Sequence, residues 1–236
     1  MPRQRVAKQH LETELLMGVD FIPANTASPR SIGSDTSDPG EKSSKLAALK
    51  ARVAGEFPLC ETLSDATQPV FGEGPPDARL MFIGEAPGAE EDRTGRPFVG
   101  AAGKKLEQII ESMGLCRDQV YIANILKARP PGNRTPSTEE VRASAPYLVE
   151  QIRIIEPEAI VTLGGPSTKF ILGTKEGITK LRGRWASWDD EDLHIPVMPT
   201  FHPAYLLRNY TPETRKQVWS DIQKVMEMLG VQVQQK

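Results

Sequence analysis

This chain of 236 residues contains few cysteines and histidines, and its net charge is close to zero. Its two cysteines, Cys60 and Cys116, lie far apart in sequence, so they provide neither a disulfide framework nor a zinc site built from cysteine alone. The formal net charge is only −2, which argues against a strongly basic surface that coats nucleic acid without specificity. Contact with nucleic acid would therefore depend on particular loops.

Long hydrophobic runs are missing as well. No apolar stretch is long enough to span a bilayer, and the N-terminal residues lack the uninterrupted apolar core of a secretory signal. Hydrophobic residues make up 39% of the chain and charged residues 25%, which is the balance of an ordinary globular protein. We expect a cytoplasmic monomer that makes no membrane contact.

A shift in composition separates the N-terminal part from the rest. Residues 22–44 are rich in Ser, Pro, Gly and Asp and have few apolar side chains to offset the entropy lost on ordering. We predict a mostly disordered tail over residues 1–44, with a short amphipathic helix at 8–18. One folded domain is predicted over residues 45–230, followed by a C-terminal tail over 231–236.

Strand-like and helical patterns alternate in this domain. The apolar strand-like runs are residues 79–84, 119–126, 159–165 and 195–201. Helical spacing of apolar residues is found in residues 103–114, 136–155 and 212–230. Apolar strands separated by helices are typical of a parallel sheet covered on both faces. We predict an α/β fold, a three-layer α/β/α sandwich around a four-stranded parallel sheet, with ligands bound beyond the carboxyl ends of the strands.

The stretch "GEAPGAEED" follows the first strand-like run. Its glycines, Gly84 and Gly88, allow positive φ and close approach of a ligand, and exposed N–H groups there can hold an anion or a carbonyl oxygen. Glu85 and Glu91 bring carboxylates to the same turn. The stretch lacks the Gly-Lys-Ser/Thr ending of a phosphate-binding P-loop. Taken alone, it favours a turn with solvated charges.

Two further residues suit the recognition of a base. Phe98 lies in a loop bounded by Gly and Pro, where its ring can stack a base or pack on the core. Asn124 interrupts an apolar run, and its amide can donate and accept towards an amide-like base edge or pair with nearby backbone.

The stretch "FHPAYLLR" follows the fourth strand-like run. His202 can donate to an oxygen that gains negative charge, or it can simply cap a helix. Leu206, Leu207 and Arg208 form an apolar knob with a cation, a combination that suits insertion into a base stack.

Cations are concentrated in the loop "KARPPGNR". Lys127, Arg129 and Arg134 can contact phosphates from this loop, although such a charge run is more often a solvated surface.

Together, these motifs resemble a known family. The stretches "GEAPGAEED", "GRPFVGAAG", "YIANILKARPPGNRTP", "PYLVEQI" and "FHPAYLLR" are similar in order and spacing to the type 4 uracil-DNA glycosylases of the uracil-DNA glycosylase superfamily. The resemblance extends over residues 71–229. It implies an enzyme that excises uracil from DNA by base flipping and leaves an abasic site, the first step of base excision repair.

The resemblance also implies roles for individual residues. Glu85 would position or activate the attacking water, and His202 would lie near uracil O2. Leu206–Arg208 would enter the DNA helix where the base has left. Independently of the resemblance, the charge of their loop makes Arg129 and Arg134 expected DNA contacts.

The base pocket implied by the resemblance consists of five residues. Phe98 would stack on the flipped uracil and Asn124 would read its edge. Gly84, Ala86 and Glu91 would shape and support the pocket from the loop of the first motif.

The sequence departs from the family at its iron–sulfur site. Type 4 enzymes hold a [4Fe–4S] cluster on four cysteines, and the matching positions here are Phe57, Cys60, Ala128 and Ser144. Thiolates are the ligands that such a cluster needs. We therefore predict that no cluster is bound and that apolar packing around Phe57 and Ala128 takes over its structural role.

Two other functions remain open at this point. The domain could be an inactive or altered-specificity DNA-binding module that has lost its cluster, or a small-molecule enzyme that uses the "GEAPG" turn. The presence of Glu85, Phe98, Asn124 and His202 together favours an active glycosylase over both.

Overall fold

The computed structural model describes residues 39–190 and 192–231. Within them, one sheet contains five strands, in the spatial order β2-β1-β3-β5-β4. The strands are β1 (Leu80–Gly84), β2 (Tyr121–Asn124), β3 (Ala159–Leu163), β4 (Ala186–Asp190) and β5 (Leu193–Thr200). Neighbouring strands are parallel except β4, which runs antiparallel to β5.

The four predicted parallel strands are confirmed, and β4 extends the sheet by one strand that we did not predict. Its sequence reads "ASWDD", which has no continuous apolar run. Trp188 is the only large apolar side chain of β4, and burial alternates along the strand. An antiparallel strand at a sheet edge needs only one apolar face, so it lacks the continuous hydrophobic run that reveals a central parallel strand.

Eight α-helices accompany the sheet within the described residues. They are α1 (Pro39–Glu56), α2 (Ala89–Thr94), α3 (Ala101–Ser112), α4 (Thr138–Ile155), α5 (Gly165–Leu172), α6 (Ile178–Leu181), α7 (Pro203–Arg208) and α8 (Pro212–Leu229). Residues 39–44, which we assigned to the tail, therefore belong to a helix. The predicted helix at 8–18 and the rest of the tail lie outside the described residues, as do residues 232–236.

Both faces of the sheet are covered by helices. Met81 and Ile83 of β1 pack in the hydrophobic cluster that includes side chains of α1, α4 and α5. Leu80 and Phe82 point the other way, into the cluster with α3, α7 and α8. A strand buried on both faces must be apolar throughout, which explains the sequence of β1. The described part of the chain has no helix of the length and apolar character that crossing a membrane requires.

A capping box begins α4. Ser137 Oγ accepts from the Glu140 N–H at 3.2 Å, and Glu140 Oε2 accepts from the Ser137 N–H at 2.7 Å. This cap fixes the end of the loop that follows β2.

The carboxyl ends of four strands meet at one edge of the sheet. Gly84 at the end of β1 is in register with Asn124 at the end of β2. Gly164 follows β3, and a Cβ built on it would lie 3.0 Å from the Cβ of His202, which follows β5. The topology therefore brings the predicted site residues to one place.

Candidate active site

Gly84 lies at the centre of the site. A Cβ built on it would be 2.4 Å from Asn124 Oδ1 and 2.5 Å from Phe98 Cζ. Real Cβ atoms do not approach other atoms so closely, so only glycine fits between these two side chains. The predicted base-reading amide and the predicted stacking ring are thus in contact with the same backbone position.

The side chain of Asn124 has unused hydrogen-bonding capacity. The residue is 2% exposed, and its Oδ1 has no hydrogen-bond partner within the described structure. A buried acceptor without a partner costs roughly 1–3 kcal/mol of stability. A ligand with an N–H group would satisfy it.

Arg117 holds the loop that carries Phe98. The backbone of Phe98 has a φ of 51°, a left-handed conformation that a bulky residue rarely adopts. The Arg117 guanidinium donates to the Phe98 carbonyl at 3.0 Å, to the Pro97 carbonyl and to Glu73 Oε1 at 3.0 Å. Arg96 pairs with the same carboxylate, and hydrogen bonds from both arginines lower the pKa of Glu73 to about 2. These charge-assisted contacts fix the ring in place.

His202 faces Phe98 across the site, with the ring centroids 5.7 Å apart. Its Nδ1 accepts from the Ala204 N–H at 3.1 Å, which leaves the proton of a neutral ring on Nε2. Burial, with a further contribution from the charge of Arg208, lowers the pKa of His202 to about 4 against the opposing effect of Glu91. At neutral pH, His202 is therefore an uncharged donor through Nε2.

The two acids of the first motif have different environments. The Glu91 carboxylate accepts from the N–H groups of Gly88, Val99 and Gly100 at 3.1, 2.8 and 2.8 Å. It joins the turn after β1 to the loop before α3. Glu85 is half-buried and makes no side-chain hydrogen bond to another described residue, and burial raises its pKa. Glu91 therefore organises the loops, while Glu85 remains available to a ligand.

This arrangement brings the ring of Phe98, the amide of Asn124 and the Nε2–H of His202 together beyond the end of β1, a combination that suits recognition of a planar amide-like ring. The chain matches the family model for the uracil DNA glycosylase superfamily over residues 71–223. A type-4 uracil-DNA glycosylase of Sulfurisphaera tokodaii is 49% identical over 174 residues, which cover 72% of this chain and 78% of that protein. The type-4 enzyme of Thermotoga maritima is 46% identical over 171 residues, covering 72% and 88%. The chain belongs to the type 4 family of the uracil-DNA glycosylase superfamily.

The resemblance that we identified in the motifs is thus confirmed. A third relative, the type-4 uracil-DNA glycosylase of Archaeoglobus fulgidus, is 40% identical over 175 residues, covering 72% of this chain and 87% of that protein. The α/β fold with its mostly parallel sheet is the one expected of the superfamily. Ala86, the remaining predicted pocket residue, is partly buried and packs against the core cluster on the α1 side of the sheet.

The predicted DNA-inserting segment of this glycosylase domain is only partly at the surface. Leu206 is 3% exposed and packs in the core beneath α7, so it is not available for DNA contact in this conformation. Leu207 is 46% exposed, and Arg208 is exposed as well. Helical periodicity explains the difference, because adjacent residues of α7 point to different sides.

The cations of the loop after β2 also differ from our expectation. Lys127 is fully buried and donates to the Asn124 carbonyl at 2.9 Å and to Gln151 Oε1 at 2.6 Å, so it is not a phosphate contact. Burial lowers its pKa to about 7. Arg134 forms a two-pronged ion pair with the buried Glu140, at 2.9 and 2.6 Å. Arg129 is partly exposed, and its Nε donates to Asn133 at 2.7 Å.

Neither Arg117 nor the position of Lys127 was apparent from the sequence. Arg117 lies outside the family motifs, and its carbonyl partners are about twenty residues upstream. Lys127 was counted with the surface cations because lysine is almost never fully buried. The apolar residues on both sides of the lysine were the available signal for its burial.

The family's cluster positions do not offer the ligands of a [4Fe–4S] cluster. Phe57 and Cys60 are partly buried against the core, and Ala128 is fully buried. Ser144 Oγ is buried without a hydrogen-bond partner in the described structure. One thiol, one hydroxyl and two hydrocarbon side chains do not fit a group held by thiolates. Nowhere in residues 39–190 and 192–231 do three His, Cys, Asp or Glu side chains come together as candidate metal ligands.

Proposed function

We propose that this protein hydrolyses the N-glycosidic bond of uracil in DNA and leaves an abasic site for base excision repair. The observation that supports this most directly is the buried, unpartnered Oδ1 of Asn124 beside the ring of Phe98. Curated relatives named type-4 uracil-DNA glycosylases, at 40–49% identity, support the same activity. Nothing in the site favours an inactive DNA-binding module.

Recognition would begin with flipping of the nucleotide, because a base inside a duplex cannot be reached. Phe98 would stack on the extruded ring. Asn124 Oδ1 would accept from uracil N3–H, and its amide nitrogen would donate to O4. Cytosine presents the opposite pattern of donor and acceptor at these two positions, so it would leave buried groups unpaired and be rejected.

The chemical step would break the bond between C1′ of the sugar and N1 of uracil. The electron pair leaves with the base, so uracil becomes an anion and the sugar becomes cationic. The Nε2–H of His202 would donate to O2, where the negative charge develops, and one such donor contributes roughly 10²–10³ in rate. Glu85 would stabilise the cationic sugar, orient a water towards C1′ and accept a proton from it.

We also propose that the reaction proceeds without an iron–sulfur cluster. The donor set at Phe57, Cys60, Ala128 and Ser144 supports this, because a single thiol remains. Uracil-containing DNA is the proposed partner. A monomeric state and a cytoplasmic location are part of the same proposal.

The deciding experiment is an excision assay on oligonucleotides that contain one uracil, in single and double strands, followed by alkaline cleavage of abasic sites. We expect base excision from strands that contain uracil and none from matched strands that contain cytosine or thymine instead. DNA binding without excision would instead support a binding module. Absence of both binding and excision would favour a small-molecule enzyme and overturn the proposal.

A further inference from the structure

An exposed tyrosine outside the family motifs gathers two cations. Tyr210 lies between α7 and α8 and is 56% exposed. Lys105 Nζ of α3 lies over its ring, 4.6 Å from the centroid, and Arg215 Cζ of α8 lies 4.9 Å from the same centroid. Cation–π attraction of this kind holds a charge in place on a ring face. Three separate segments thus bring two positive charges together. We call Lys105, Tyr210 and Arg215 the Tyr210 cluster.

The charges of the Tyr210 cluster are not neutralised within the described structure. Neither Lys105 nor Arg215 forms an ion pair with a carboxylate there, and Lys105 Nζ donates only to the neutral Gln108 Oε1, at 2.6 Å. Several other surface arginines are paired with carboxylates, as Arg79 is with Glu158 at 2.6 Å. Two like charges on one ring repel each other, so an anion is the partner that this arrangement fits.

Short segments of chain connect the Tyr210 cluster to the base pocket. Lys105 follows Phe98 by seven residues, and Tyr210 follows His202 by eight. Helix α7, which separates His202 from Tyr210, has six residues and is therefore only about 9 Å long. A flipped nucleotide stays attached to its neighbours through phosphates. Cations connected to the pocket by such short segments suit contact with the DNA backbone on either side of the flipped nucleotide.

We propose that Lys105, Tyr210 and Arg215 form a phosphate-binding site for the DNA backbone beside the flipped nucleotide. Phosphate, rather than a base, is the ligand because the tyrosine ring is already covered by cations. The contact would be independent of sequence and would position the strand rather than read it. This inference rests on the proposed function, since it takes DNA as the substrate.

The test measures how DNA affinity depends on salt. The full chain is titrated against a fluorescent duplex with a single tetrahydrofuran abasic analogue at several salt concentrations. Lys105→Gln and Arg215→Gln are each expected to reduce the slope of log K against log[salt] by about one, the value for one lost phosphate contact. Lys50→Gln is the matched control, because Lys50 is an exposed lysine of α1 on the other face of the sheet.

Two tyrosine variants test the role of the ring. Tyr210→Phe keeps a face for the cations and is expected to keep the wild-type slope, whereas Tyr210→Ala is expected to reduce it. Wild-type slopes in Lys105→Gln and Arg215→Gln, or an equal loss in Lys50→Gln, would overturn the site even if wild-type protein excises uracil. Altered slopes in a protein that excises nothing would support the site and refute the glycosylase function.

Discussion

A side chain on Gly84 and the ring of Phe98 would occupy the same space, because a Cβ on Gly84 would lie 2.5 Å from Phe98 Cζ. Gly84→Ala should therefore displace the stacking ring or the end of β1. Misplacement by about 1 Å can cost on the order of 10² in rate. We expect uracil excision to fall by roughly that factor, measured under single-turnover conditions.

Gly55→Ala is the matched control for this change. Gly55 lies in α1, and a Cβ there would have no atom within 4 Å. Alanine is favoured over glycine in a helix by about 1 kcal/mol, so the variant should be as stable as wild type or more so, with unchanged excision. Wild-type excision by Gly84→Ala would contradict the proposed pocket.

Asn124→Ala should abolish most uracil excision without loss of folding. The substitution removes a buried acceptor that has no partner, which is stabilising, and leaves a small cavity, which is destabilising. Because the two effects oppose each other, the free energy of unfolding should change by less than about 1 kcal/mol. Chemical denaturation and the oligonucleotide assay measure the two effects separately. A stable variant with wild-type excision would show that the amide does not read the base.

The fall in excision rate at acidic pH should reflect protonation of Glu85 rather than protonation of His202. Burial raises the pKa of Glu85 above its usual 4.5, so its carboxylate is protonated at a higher pH than an exposed glutamate. The pKa of His202 is lowered to about 4, so its Nε2–H donor stays neutral as the pH falls through the usual histidine value of 6.5. We expect kcat/KM to fall with decreasing pH in one limb above 4.5, with no inflection near 6.5.

The variants Glu85→Gln and His202→Asn decide this assignment. Glu85→Gln should be slow and should lose the acidic limb. An inflection near 6.5 that disappears only in His202→Asn would mean that the pKa of His202 is not lowered in the enzyme, and it would contradict this assignment.

Arg117→Met should reduce excision through the loop of Phe98. The guanidinium bonds to two carbonyls of that loop and to Glu73, so its removal releases a backbone held at a φ of 51°. We expect kcat/KM to fall by about tenfold or more, with Arg117→Lys also impaired because an ammonium cannot span the same three acceptors.

Arg93→Gln is the control for loss of a surface arginine. Arg93 pairs with Glu90 across exposed side chains, an interaction worth about 0–1 kcal/mol. Its excision rate should match wild type. If Arg93→Gln and Arg117→Met reduced excision equally, Arg117 would have no specific role in holding the loop of Phe98.

Freshly purified protein should contain far less than stoichiometric iron and acid-labile sulfide. We expect this because Cys60 supplies the single thiol among the four cluster positions. Cys60→Ser should leave excision and thermal stability close to wild type. Near-stoichiometric iron that is lost in Cys60→Ser would show that a cluster is bound after all.

The four parallel strands could be predicted because each is buried on both faces and is therefore apolar throughout. Most pocket residues could be placed together because they lie at or just beyond the ends of such strands, as Gly84 and Asn124 do in register with each other. The edge strand β4 could not be predicted, because only one of its faces is buried and it therefore lacks a continuous apolar run.

Side-chain environments were less accessible from sequence. The burial of Lys127 depends on Gln151, which a distant helix supplies. The role of Arg117 depends on carbonyl groups, which carry no sequence signal of their own. Leu206 and Leu207 are adjacent in sequence, and only the orientation of α7 decides that one is buried and the other exposed.

The acidic edge strand β4 has a consequence for the behaviour of the protein at high concentration. An open sheet edge is a template on which strands of other molecules can add, as in fibrils. Here that edge is a strand of five residues that ends in Asp189 and Asp190, the latter paired with Arg153 at 2.6 Å. A foreign strand would have to pair beside these carboxylates over a very short length. The edge is thereby protected against aggregation.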